Sequence, residues 1–120
     1  MDVENDINET LMNAISECDA KAVKYSLDNG ANPNFHVDHE WYKESPESQP
    51  DSPLKLVMFR ASDNLLSTNK LKALKNIAEV LLTEGAASEP AKKMAEIRYG
   101  VYNKKRPDNV FEEIISLVMK

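Results

Sequence analysis

A chain of 120 residues has room for one domain, and its 42% apolar and 29% charged residues are those of a soluble globular protein rather than a disordered one. The formal net charge of −5 speaks against nucleic acid as the main partner, because neutralising phosphates takes clustered Lys and Arg. Apolar runs are far shorter than the roughly 20 residues that cross a bilayer, so no membrane role is expected.

The N-terminus, Met1 to Asp6, is acidic and lacks the basic and apolar regions of a secretory signal. The only cysteine, Cys18, has no partner for an internal bridge, which fits a reducing compartment. A cytoplasmic protein, monomeric when free, is the expectation.

Leu11, Ala14 and Ile15, then Ala22, Val23 and Leu27, recur at spacings of three and four, which predicts two helices with a break at Cys18-Asp19. Asn8 suits the N-cap of the first helix, with Ile7 as a staple before it, and Asp19 suits the N-cap of the second. Gly30 is placed to end the second helix in the left-handed conformation. A turn follows at Asn29-Gly30-Ala31-Asn32-Pro33-Asn34, where proline stops the helix and asparagine tolerates turn geometry.

Past the connection 35–51, Ser52-Pro53-Leu54 reads as the start of a helix with proline in its first turn, and Phe59 and Arg60 fall at its end. A linker is expected around Arg60 to Lys70. The next helix carries Leu74, Ile77, Ala78, Leu81 and Leu82 and closes at Gly85-Ala86-Ala87. Ser88-Glu89-Pro90 opens another, with Ala91, Met94, Ala95 and Ile97, ending near Gly100. Lys104-Lys105-Arg106 reads as a solvated basic loop. Asp108 then suits the cap of a last helix through Val110, Phe111, Ile114, Ile115 and Val118.

The stretch from Thr10 to Asn34, TLMNAISECDAKAVKYSLDNGANPN, resembles an ankyrin repeat, whose second helix ends in L-L-x-x-G-A-D-x-N. Leu11, Ala14 and Ile15 meet the family's inner-helix pattern T-P-L-H-x-A-A in part, and Ser52-Pro53-Leu54 restores its T-P-L opening with serine for threonine. Gly30 and Gly85 lie 55 residues apart, against a family period of about 33. The excess falls in the connection before Ser52 and the linker after Arg60. The resemblance implies an all-α fold, an ankyrin-like stack of about three helix-turn-helix repeats with long inserted loops. Its units would be 7–34, 52–87 and 88–120 of a single domain, the last with the look of a terminal capping unit. A generic stack of helical hairpins would give the same periodicity.

The connection Phe35-His36-Val37-Asp38-His39-Glu40-Trp41-Tyr42-Lys43-Glu44-Ser45-Pro46 is longer than the family needs there, and long loops in compact domains often carry function. It holds the only tryptophan, Trp41, beside Tyr42, and these two residue types dominate binding hot spots. Asp38, Glu40, Glu44, Glu47 and Asp51 make it acidic, which points to a basic protein partner drawn in by charge. Two readings stand for this segment: an acidic, aromatic finger, or a Trp41 lid over the helix ends followed by solvated linker. His36 and His39 bracket Asp38, but two histidines in a loop fall short of a zinc site and are expected to carry no metal. Phe59 and Arg60 either extend the partner surface on the concave side or, for Phe59, belong to the core. Tyr99 and Tyr102, flanking Gly100, either form a second contact point at the tip of the third unit or pack at the helix end.

No Gly-rich phosphate loop, H-E-x-x-H or G-x-S-x-G is present in the sequence. Cys18 lies between two helices, where a buried inert thiol is the rule, and Glu112-Glu113 read as an exposed helix face. No enzyme activity and no cofactor are expected. The resemblance implies protein binding, through the concave helix face and the turns. The partner residues would be Phe35, His36, Asp38, His39, Glu40, Trp41, Tyr42, Glu44, Phe59 and Arg60. Small ankyrin-like proteins serve as immunity proteins, so the sharpest expectation is an inhibitor of a cognate basic toxin or enzyme. The alternatives are a structural or scaffolding ankyrin subunit or a secreted effector, and last an enzyme using Cys18.

Overall fold

The structure, a computed structural model, describes the backbone of residues 3–37, 49–63, 66–102 and 110–119, with side chains for 7–37, 49–63, 66–96 and 110–119. The described residues form six helices and no strand: α1 (Val3–Ser16), α2 (Ala20–Asp28), α3 (Pro53–Ala61), α4 (Thr68–Thr83), α5 (Glu89–Tyr102) and α6 (Val110–Met119). The fold is all-α. No described helix is long and apolar enough to cross a membrane.

Local chemistry explains most helix ends. The Asp19 carboxylate accepts from the Ala22 N–H at 3.1 Å and caps α2. At its other end Gly30 takes φ 98°, the Gly30 N–H donates to Leu27 C=O, and the Ala31 N–H donates to Ser26 C=O. α4 closes in the same way: Gly85 has φ 99°, and the Gly85 and Ala86 N–H groups donate to Leu82 and Leu81 C=O. These paired bonds satisfy carbonyls that a bare helix end leaves open, and the conformation they need suits glycine alone without strain. The end of α1 has the same bonds with a different residue, since Cys18 sits at φ 58° and is buried.

Three sequence expectations need correction. α1 begins at Val3, so Asn8 is inside the helix and caps nothing; its side-chain oxygen accepts from the Asn32 N–H at 2.7 Å. The linker after α3 is only 62–67, because the Ser67 hydroxyl caps α4 through the Lys70 N–H and the helix starts at Thr68. Glu112 is half-buried rather than exposed, because α6 packs against α4, α5 and α3 together. α5 ends at Tyr102, near Gly100 as expected. Ser52 does precede α3 with Pro53 in the first turn, although the serine side chain makes no cap bond. Asp108, Lys104, Lys105 and Arg106 lie outside the described residues, as do the side chains of Ile97, Tyr99 and Tyr102.

The helices pack in consecutive pairs, α1 with α2, α3 with α4 and α5 with α6. Across pairs, α3 lies against both α1 and α5, while α4 lies against both α2 and α6. Two layers result, one of odd and one of even helices, and the apolar stripes meet between them. Leu11, Ile15, Val23, Val57, Met58, Leu71, Leu74, Ile77, Leu81, Met94 and Ile114 are wholly buried there. α3, in the middle of its layer, is buried over Pro53–Met58, including Lys55.

Candidate functional site

The turn after α2 is held at both ends by asparagine side chains. The Asn32 side-chain oxygen accepts from the Asn34 N–H at 2.8 Å, an Asx turn that sets the path of the chain past Pro33. Asn34 then reaches the turn of the next pair: its amide donates to Gly85 C=O at 3.0 Å and its oxygen accepts from the Ala87 N–H at 2.7 Å. One side chain thus ties two turns that lie far apart in sequence. Replacing Asn34 by Ala should lower stability by about 1–2 kcal/mol, the net worth of two such bonds. Urea unfolding followed by circular dichroism measures it. An unchanged midpoint would mean that the turns hold their spacing without the bridge.

Beyond Asn34 the chain enters the connection, and its two described ends are joined. The Val37 N–H donates to Asp51 C=O at 2.7 Å. His36 Nε2 lies 3.2 Å from Asp51 Oδ2, and Lys55 Nζ lies 2.8 Å from Asp51 Oδ1. The two carboxylate oxygens therefore serve different partners. The His36 side chain is 68% exposed, whereas those of Asp51 and Lys55 are 4% and 7% exposed. Burying an ion pair carries a large desolvation penalty, so the Asp51–Lys55 pair is an unusual use of the first turn of α3. It lies at the side of a cavity of about 370 Å³ with apolar walls from Pro33, Leu54, Ala87 and Pro90.

The predicted partner residues separate into three groups. His36 is exposed beside this cavity, and Phe35 next to it is half-buried. Asp38, His39, Glu40, Trp41, Tyr42 and Glu44 lie outside the described residues. Phe59 and Arg60 are at the other end of α3, roughly 9 Å along the helix axis from Pro53. Phe59 is 36% exposed, which takes it out of the core. The Arg60 guanidinium donates from Nε to Ser16 C=O at 3.1 Å, so it closes the end of α1.

Asp51, Lys55 and Asn34 were not singled out by sequence reasoning as site residues. Asp51 reads there as one more solvated acid at the end of an acidic run; the structure buries it. The signal that was available is the spacing of Asp51 and Lys55, four residues apart across a helix start. Comparison with protein-family models, curated proteins and solved structures found no match for this chain.

Proposed function

We propose that the chain is a non-catalytic protein-binding module, an ankyrin-like stack of helix pairs that holds a partner protein with its 35–51 connection and the face formed by α1, α3 and α5. The observation that carries this reading is the layering. α3 lies between α1 and α5, α4 lies between α2 and α6, and the α2 and α4 ends share one glycine turn geometry with Asn34 bridging them. Stacked pairs of this kind make an extended surface whose turns project to one side. The joined ends of the connection at Val37 and Asp51 support a segment presented from that edge.

The acidic, aromatic composition of 35–51 favours a basic partner, with charge speeding the encounter and Trp41 and Tyr42 supplying buried contact area. The sharper form of the reading is a dedicated cytoplasmic inhibitor that occludes the basic site of a toxin or enzyme, as an immunity protein does. It acts as a monomer without a cofactor.

The test is recovery of the tagged protein from its native cells with mass spectrometry of what accompanies it, beside a Trp41→Ala/Tyr42→Ala variant. One abundant basic protein, lost with the variant, is the expected result; hot-spot aromatics contribute about 2 kcal/mol or more each, so affinity for the double variant should fall by about several hundredfold. If the recovered protein is toxic when expressed alone, the inhibitor reading stands. A partner retained by the variant moves the contact to the helix face, and the absence of any partner sinks the proposal.

A further inference from the structure

On the even-helix layer, α2 and α4 leave a groove of about 480 Å³ between them. Its apolar lining is Ala20 and Tyr25 from α2 and Val80 from α4. Among the described residues Tyr25 is 62% exposed, more than the other exposed large apolar side chains there, Phe59 and Met119. Folding does not require it there. α2 turns Val23, Ser26 and Leu27 to the core, and Tyr25 occupies a solvent-facing position that a charged residue fills as well. An exposed tyrosine in a concave surface is a preferred contact for another protein, since it offers a large rigid area at small entropic cost.

Charge selects the kind of partner. Lys21 and Lys24 both line the groove, both are exposed, and neither joins an ion pair among the described residues. Asp28 is the one acid among the lining residues. A groove with a cationic flank on a chain of net charge −5 is a local reversal of sign, and complementary potentials steer and orient association.

We infer that the α2–α4 groove is a second docking surface, built for an acidic segment of a protein that seats an apolar side chain against Tyr25 and Val80. It is independent of the reading of the 35–51 connection.

The probe is a fluorescein-labelled peptide alternating glutamate with leucine, titrated with the full chain at low salt and followed by anisotropy. A peptide alternating lysine with leucine is the control. The acidic peptide should bind saturably, weaken as salt rises, and shift amide resonances in α2 and α4. Tyr25→Ser and Lys21→Glu/Lys24→Glu should each lower its affinity about tenfold or more, while Tyr25→Phe keeps it. All are surface changes, and thermal melts matching the parent chain establish that the variants fold. No saturable binding, equal binding of both peptides, or affinity indifferent to these variants would overturn the inference. So would self-association of the chain in sedimentation that Tyr25→Ser abolishes, since the groove would then belong to a second copy.

Discussion

Replacing Asp51 by Ala should lower the unfolding free energy by about 3 kcal/mol, the scale on which removing one member of a buried ion pair destabilises a protein. The Lys55 side chain is 7% exposed, and Asp51 Oδ1 is 2.8 Å from its ammonium. Without the carboxylate, that charge keeps its desolvation penalty and loses its closest described counter-charge. The His36 contact belongs to the same carboxylate but to its solvent side, so His36→Ala should change stability by less than about 0.5 kcal/mol. The double variant Asp51→Leu/Lys55→Met should recover most of the loss, because removing both charges removes the penalty as well. Chemical denaturation of the set tests the argument. A loss below about 0.5 kcal/mol for Asp51→Ala would mean that the pair is solvated in solution.

The second large effect is expected from Met58→Ala, about 2–5 kcal/mol from lost apolar burial and the cavity left behind. Met58 is fully buried in α3, the helix that touches both neighbours in its layer. In a stack whose units meet only their neighbours, a weakened middle element loosens both junctions. The expected result is a lower midpoint together with a broader or split transition, where the parent chain unfolds in one step. Met119→Ala provides the comparison within one residue type. Met119 is 43% exposed at the end of α6, and its truncation should stay within about 0.5 kcal/mol. Equal effects at the two positions would contradict the burial pattern on which the layered core rests.

How much of this was legible in the sequence follows from how far each interaction reaches. The second helix could be bounded from Asp19 and Gly30 because its cap and its left-handed turn are satisfied within a few residues. The same holds for Pro53 at the start of α3 and Gly85 at the end of α4. The apolar residues predicted for α4 and α6 are those in the core, with Ile115 and Leu82 at its margin. Asn8 was misread because its composition suits a cap, while its bond is to Asn32, outside any local pattern.

The candidate site was less legible, and for one physical reason. Phe35, His36, Phe59 and Arg60 were chosen as a surface, but Arg60 spends a guanidinium bond on the carbonyl of Ser16. Asp51 was counted with the acids of the connection, yet it is the most buried polar group at its base. A polar side chain has the same composition whether it faces water, a backbone carbonyl or a buried ammonium.

Short-range rules were enough to read the class of the fold from this sequence. Helical spacing places the helices, and the Asp19 cap with the Gly30 and Gly85 turns bounds α2 and the end of α4, since hydrogen bonds within one turn decide those ends. Tertiary structure alone decided which polar groups are structural. Asn34 ties one turn to another, Asp51 holds Lys55 at the start of α3, and Tyr25 remains in the open beside the α2–α4 groove. Those outcomes depend on what a folded chain brings alongside each side chain from distant positions, and on the water it excludes in doing so.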